Sequence, residues 1–402
     1  MERIVVAGAS IAGMSAAREL RRLGFTGTIQ LLDEDPHAPY RRPSVSKGLL
    51  TGAQELSDVV APWSEALALE RAAGVRLTAL DVDGRVVHGR SAEGNVSFHY
   101  DGLVIATGSF ARPWPIELGF DGVVSLRTAE DALAMRALLG TAKRVAIVGG
   151  GFIGLEAAAS ATALGVAATV IEVAQIPLAH ALGEELGRRL ADAHRTRGVD
   201  VRCGVGVDRI EGDARVERIV LLDGTVVEAD VVLVAIGAAP AVAWLESSGL
   251  DVSTGVLCDS SCRVIGVESA VAAGDVASWL NPLYDRRMRV EHWTNAIQQA
   301  SFAAGALLGV APEEGFSSAP YFWTDQFDFK LESFGTSLGH DETIVIEDTE
   351  ARMIVGYGRE GTLVGVAGLN TGVAIHQFRK LIEARTPFAD VAPSELAGQA
   401  AT

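Results

Sequence analysis

Cysteine is almost missing from this chain, with three residues in 402. None lies in a CxxC pair, and Cys258 and Cys262 stand four apart with no second ligand pair nearby. A disulfide framework and a structural zinc site are both excluded, and these thiols read as buried or incidental. The histidines show no HxxxH or HExxH spacing, so no metal is expected, and no GxSxG nucleophile motif occurs. Positive charge is also short: 34 Lys and Arg against 51 Asp and Glu leave a net charge of −17. That field repels a phosphate backbone and argues against nucleic acid. Long apolar runs are absent. The longest, VVLVAIGAAPAVAWL at 231–245, is too short for a membrane span and contains Pro240. MERIVVAG starts a strand with no basic-then-apolar leader before it, so a cytoplasmic protein without a membrane span is expected.

Glycine, by contrast, is abundant at 44 residues and falls in clusters rather than in a repeat, which points to tight turns. Two clusters belong to an internal duplication. RIVVAGASIAGMSAARELRRLG (3–24) matches RVAIVGGGFIGLEAAASATALG (144–165) position for position. Each reads as an apolar strand, a glycine turn, a helix with apolar residues every three to four positions and a closing glycine. A second apolar strand then ends in acid, IQLLDE (29–34) and TVIE (169–172). This is the βαβ dinucleotide fingerprint, present twice. Gly8 and Gly149 allow the sharp turn out of the strand. Ser10 and Gly151 stand where backbone must approach a pyrophosphate, and Gly13 and Gly154 let helix pack on strand. Glu34 and Glu172 are the acids placed to bind ribose hydroxyls. Ser10 replaces the usual middle glycine and reads as a tolerated variant, the other reading being loss of dinucleotide binding at the first copy. Glu172 is followed by Val173, Ala174, Gln175 and Ile176, with no arginine for a 2′-phosphate, which favours NADH over NADPH.

Two further glycine stations follow. An apolar strand ends in Ala106-Thr107-Gly108, and another apolar stretch ends in Gly274-Asp275. A carboxylate beside glycine at a strand end can bind a polyol or ribityl chain. Each alone reads equally as a strand-end turn or a helix cap.

In this order and spacing the stations resemble glutathione-reductase-type flavoproteins with two dinucleotide-binding domains. APYRRPSVSKGLLTG (38–52), SLRTAEDA (125–132), GGGFIGLEAA (149–158), GDVASW (274–279), RVEHWTNAIQQA (289–300) and YFWTDQFDFKL (321–331) narrow this further. They resemble FAD-dependent ferredoxin reductases of bacterial oxygenase systems, the putidaredoxin reductase type. The resemblance implies that Ile11, Ala12 and Gly13 line the FAD pyrophosphate, with Glu34 on the adenosine ribose. Arg42 and Lys47 would face the flavin, Leu77 the adenine half, Arg127 another part of FAD and Asp275 the ribityl-phosphate region. Trp293 would pack near the isoalloxazine ring. Phe152, Ile153 and Gly237 join the candidate contacts to the second dinucleotide. Glu156 would sit near the nicotinamide and pair with Lys47, the two forming the catalytic candidates. Two departures stand out: Arg41 replaces an acid of the family motif, and Gln175 stands near where many relatives carry arginine.

Residues 36–60 hold no cysteine, whereas disulfide reductases of this fold carry a CxxxxC pair there. Electrons must therefore leave from the flavin itself. The resulting expectation is an α/β chain with an FAD domain at 1–110 and 238–312, an inserted NAD domain at 111–237 and a C-terminal α+β domain at 313–402. Its expected activity is NADH-dependent reduction of a 2Fe–2S ferredoxin serving a haem-thiolate monooxygenase or ring-hydroxylating dioxygenase. An NADH oxidase and an apoptosis-inducing-factor-like redox-gated flavoprotein are the alternatives. Arg286, Arg287 and Arg289 form a candidate basic patch for the ferredoxin, with a solvated charged loop as the other reading. Tyr321, Phe322, Trp323, Phe327 and Phe329 are expected mostly in a core.

Overall fold

In a computed structural model, which describes residues 1–61 and 65–391, the chain divides into two compact units. The first comprises Met1–Arg41, Val60–Phe110 and Ala239–Pro320. Its centre is a parallel five-stranded sheet in the order Ala270–Ala272, Gly102–Ile105, Arg3–Ala7, Thr28–Asp33, Leu69–Ala73. Strand Arg3–Ala7 is hydrogen-bonded on both sides, to Thr28–Asp33 from Arg3↔Thr28 and to Gly102–Ile105 from Ile4↔Gly102. Strands enclosed on both faces run continuously apolar, and Ile4, Val5, Val6, Leu103, Val104 and Ile105 are fully buried. Helix Ile11–Arg22 turns Met14, Ala16, Ala17 and Leu20 into this core, while Arg21 and Arg22 occupy its last turn, where cations favour the helix dipole. It packs against helix Trp293–Leu307, whose alanines at 296, 300, 303 and 304 allow close approach. Two smaller sheets complete the unit, one of Arg76–Asp81, Val86–Ser91 and Gly94–His99 and one of Val256–Cys258, Ala277–Asn281 and Arg286–Met288.

The second unit comprises Arg42–Val59, Ala111–Ala238 and Tyr321–Thr402. It repeats the plan with a parallel sheet in the order Asp200–Cys203, Ala167–Glu172, Arg144–Val148, Val231–Val234, Val123–Val124. Helix Phe152–Ala163 follows the central strand and buries Gly154 through Ala161, with Glu156 and Ser160 as the polar side chains among them. A five-stranded antiparallel sheet, ordered Tyr321–Gln326, Phe329–Gly335, Thr362–Leu369, Met353–Arg359, Glu342–Asp348, forms the C-terminal part with helix His376–Glu383. The apolar run at 231–245 holds strand Val231–Val234, the short strand Ala238–Pro240 and the first residues of a 3-10 helix, Ala243–Ser248. Among the described residues no helix is long and apolar enough to cross a membrane.

Candidate functional site: two glycine turns and a buried carboxylate

Each unit builds one strand–turn–helix corner, and both corners obey the same sterics. Gly8 has φ +109°, and a Cβ there would lie 2.2 Å from the Ala106 carbonyl oxygen; a Cβ on Gly13 would lie 1.8 Å from Gly8 O. Gly149 has φ +112°, with the corresponding distances 2.3 Å to Ala235 O and, for Gly154, 2.0 Å to Gly149 O. No side chain fits at these four positions, so the glycines are demanded by backbone approach and not merely tolerated. Ser10 and Gly151 cap the two helices in the same extended conformation, with φ/ψ of −73°/−167° and −75°/−178°. Serine therefore keeps the backbone of the turn intact.

In the first unit three elements converge on the Gly274 turn. A Cβ built on Gly274 would lie 3.0 Å from Ala12 Cβ and 3.6 Å from Ala296 Cβ, and Gly274 N donates to Gln299 Oε1 at 2.9 Å. The N-termini of helices Ile11–Arg22 and Trp293–Leu307 thus meet there, and their free amides and positive dipole ends suit a phosphate. Ala106 walls the Gly8 turn, Thr107 Oγ1 donates to Ala241 O at 2.9 Å, and Ser109 Oγ, one residue past Gly108, donates to Asp275 at 2.8 Å. Next to this junction Asn295 is 1% exposed, yet neither its amide oxygen nor its nitrogen has a hydrogen-bond partner among the described residues. Ser15 Oγ and Gln299 Nε2 are in the same position. Buried polar groups left unpaired are costly, so this cluster fits a ligand offering both donors and acceptors beside an anion. The phosphate and ribityl portion of FAD has that chemistry. Trp293 and Ile11, the first residues of their helices, are half-buried beside it, and Leu77 is half-buried on the strand Arg76–Asp81.

The strand registers separate the two acids. Leu32 pairs with Ala7 and Ile171 with Val148, so the residue matching Glu172 is Asp33, one before Glu34. Arg71 Nη2 holds Asp33 at 3.3 Å and also donates to Asp35 O at 3.0 Å. Burial pushes the Asp33 carboxyl above its ordinary value, against the pull of Arg71. Glu34 is exposed and pairs with Arg76 at 2.7 Å. Sequence reading named Glu34 alone; the signal for Asp33 was strand register, which two adjacent acids obscure.

In the second unit Glu172 accepts from Gly150 N at 2.7 Å and from Ala174 N at 2.8 Å, tying the strand end to the glycine turn. No atom lies within 4 Å of a Cβ built on Gly151, so space is open above the helix end. Ile153 is exposed there, and Phe152 packs edge-on against Phe322 at 4.8 Å. Gly237, φ +97°, offers its carbonyl to Arg112 N at 3.0 Å.

Lys47 and Glu156 form an ion pair at 2.6 Å within this unit, with Glu156 side chain 6% exposed and Lys47 26%. Lys47 Nζ also donates to Pro43 O at 3.3 Å. The carboxylate takes two hydroxyl donors that sequence reading missed, Ser46 Oγ and Thr324 Oγ1. Both come from segments already singled out for other residues. Arg42 Nη1 donates to Arg127 O at 3.1 Å, bringing those two candidates together.

The other candidates fall differently. Arg287 donates to Cys258 O and Ser278 O on the other two strands of its sheet, and Arg289 to Asp275 O and Glu291, so these cations brace the fold around them. Phe329 is buried, while Tyr321, Phe322, Trp323 and Phe327 are half-buried. Cys258 and Cys262 are buried, and burial pushes the Cys258 thiol up to about 12 and the Cys262 thiol well above its ordinary value. Cys203 is half-buried and also raised by burial, so none of the three is a ready thiolate.

Two Rossmann-like sheets with matched glycine turns, an acid ending the neighbouring strand of each, and no reactive thiol define a two-dinucleotide oxidoreductase. The chain belongs to the pyridine nucleotide-disulphide oxidoreductase family, which it matches over residues 2–300, and residues 321–400 match the reductase C-terminal domain. It is 38% identical to a probable ferredoxin reductase, CtmF, of Castellaniella defragrans over 361 residues, 87% of this chain and 86% of that one. It is 36% identical to the ferredoxin–NAD(+) reductase component of the anthranilate 1,2-dioxygenase system of Burkholderia cepacia, across 94% of each chain. Among solved structures, the covalent putidaredoxin reductase–putidaredoxin complex superposes with a TM-score of 0.90 at 30% identity, covering 96% of this chain and 94% of that chain. The chain is an oxidoreductase that uses FAD and a nicotinamide dinucleotide.

Proposed function

We propose that this chain is an NADH-dependent ferredoxin reductase that passes electrons from FAD to a 2Fe–2S ferredoxin of a haem-thiolate monooxygenase or ring-hydroxylating dioxygenase system. The observation that carries this reading is the pair of matched glycine turns in a chain whose three thiols are all held protonated by burial. With its three cysteines free and no disulfide to accept a pair of electrons, transfer from the flavin to a one-electron acceptor is the remaining route. Relatives named as ferredoxin reductases of oxygenase systems support the choice of acceptor.

FAD, when bound, accepts hydride from NADH and releases electrons singly. The chain's residues bind, orient and supply charge. Gly8, Ser10, Ile11, Ala12 and Gly13, with Gly274 and Asp275, are assigned to the FAD pyrophosphate and ribityl chain. Ala106, Thr107 and Gly108 form the wall of that turn, Glu34 and Leu77 serve the adenosine half, and Arg42, Arg127 and Trp293 make further flavin contacts. Gly149, Gly151, Phe152, Ile153, Gly154, Glu172 and Gly237 are assigned to NADH. Glu172 selects a free 2′-hydroxyl because a carboxylate repels a 2′-phosphate and residues 173–176 carry no cation. Lys47 supplies positive charge to the flavin as it becomes negative, and Glu156 fixes that lysine. The FAD segments are assigned to 1–110 and 238–312 and the NADH segment to 111–237, from which Arg127 reaches the flavin, followed by the C-terminal part at 313–402. Three free cysteines and a pyridine-nucleotide donor support the cytoplasm as its place of work.

The test is steady-state NADH oxidation with cytochrome c as final acceptor, with and without a 2Fe–2S ferredoxin. Cytochrome c reduction that depends on the ferredoxin is expected. Flavin bleaching by NADH with no gain from any ferredoxin, and rapid oxygen uptake instead, would return the oxidase reading.

A further inference from the structure

The ion pair Lys47–Glu156 stands at one end of a hydrogen-bonded chain that runs through the C-terminal sheet. Thr324 and Gln326 alternate with exposed Asp325 on strand Tyr321–Gln326, so both point to its buried face, at 1% and 2% exposure. Thr324 Oγ1 lies 2.5 Å from Glu156 Oε1, Gln326 Nε2 lies 3.0 Å from Thr324 Oγ1, and Gln326 Oε1 lies 2.7 Å from Nε2 of His194, a fully buried residue of helix Ala179–Arg195. All of these residues belong to the second unit.

The direction of this chain follows from hydrogen-bond chemistry. An ionised carboxylate only accepts, so Thr324 spends its proton on Glu156 and must accept from its other neighbour. That neighbour is therefore the Gln326 amide NH2, which leaves Gln326 oxygen to accept from His194 Nε2–H. Turning the Gln326 amide over would set two acceptors face to face. His194 is thereby held as the neutral tautomer protonated on Nε2, and burial lowers its basicity in the same sense. Every donor points toward Glu156, and with Ser46 Oγ on the other oxygen and Lys47 on the same one, the carboxylate is fully engaged. Aligned donors polarise one another and strengthen the last bond.

We propose that Thr324, backed by Gln326 and His194, is a positioning residue for the reductase reaction: it holds the Glu156 carboxylate in place, and through it fixes Lys47. This rests on the assignment of Lys47 as the cation that serves the flavin. Thr324→Val keeps the shape and removes the donor; Thr324→Ser restores it; Thr324→Ala carries the test if the valine variant fails to fold.

Two measurements decide it. The first is the rate of acylation of Lys47, followed by peptide mass spectrometry on the FAD-loaded protein without NADH. A loosened ion pair leaves Lys47 Nζ open to the reagent more of the time, so Thr324→Val is expected to raise this rate by about threefold to tenfold, and Thr324→Ser to return it toward wild type. The second is the rate of flavin reduction by NADH in a stopped-flow instrument. Thr324→Val is expected to slow it by about tenfold with little change in NADH affinity, and to add nothing in a Lys47→Met background, since coupled residues are not additive. Unchanged acylation overturns the proposal. So does full-speed reduction in Thr324→Val when Lys47→Met is slow, which leaves the Lys47 assignment standing. Full-speed reduction in Lys47→Met overturns that assignment and the proposal with it.

Discussion

At the scale of single residues, four glycines are legible in the sequence because their need is steric. A methyl at Gly13 would meet Gly8 O at 1.8 Å. Gly13→Ala is therefore expected to weaken FAD binding by about tenfold or more, from the ~1–3 kcal/mol cost of forcing atoms into a packed site. Fluorescence titration of apoprotein with FAD checks this, and an unchanged affinity would contradict the pyrophosphate assignment. Glu172 was equally legible, since an acid after the second strand is part of the pattern. Replacing it with glutamine removes the charge while keeping a side chain that can still accept from Gly150 N. Glu172→Gln is expected to raise KM for NADH by about tenfold, from about 1.5–3 kcal/mol per charge-assisted bond, and to leave kcat nearly unchanged. KM for NADPH should move less, so the ratio of kcat/KM for the two cofactors would narrow. A wild-type ratio already favouring NADPH would contradict the role given to Glu172. Asp33, Ser46 and Thr324 were not legible in the same way. Asp33 depends on strand register beside a second acid, and the two hydroxyls reach Glu156 across 110 and 168 residues of sequence. No local pattern records such contacts.

At the scale of elements, the duplicated strand–turn–helix unit was readable from the alternation of apolar runs, glycines and acids. Helix Trp293–Leu307 was readable as a motif, but its meeting with helix Ile11–Arg22 at Gly274 depends on the fold. Its N-cap is His292, half-buried, whose imidazole is pushed down to about 4 by burial, with the Asp275 carboxylate pulling the other way. A cation at a helix N-terminus is also disfavoured by the dipole. The sign follows from linkage. The folded state holds His292 neutral, while the unfolded chain protonates near 6.5, so the unfolded state binds more protons between these values. Stability is thus expected to fall as pH drops from about 6.5 toward about 4, and His292→Asn should flatten that part of the profile. Thermal unfolding across this range, compared between wild type and variant, is the check. Identical slopes would remove His292 from the account.

At the scale of the whole molecule, the balance of acids over bases excluded nucleic acid early, and the scarcity of cysteine excluded a thiol relay. The buried positions of Cys258 and Cys262 agree with the second exclusion. At the basic patch expected at 286–289, Nη1 of Arg287 and Nη1 of Arg289 donate to internal carbonyls, contacts that composition alone gives no means to foresee. The account's central claim is that both electrons of each hydride leave through the flavin, one at a time, to an iron–sulfur protein. Its most direct test is an anaerobic titration of the FAD-loaded protein and excess oxidised 2Fe–2S ferredoxin with limiting NADH, reading the ferredoxin spectrum. Two ferredoxins reduced per NADH consumed is the predicted result, unaltered when all three cysteines are replaced. NADH consumed with the ferredoxin left oxidised, or a yield that collapses in the cysteine-free variant, would contradict it.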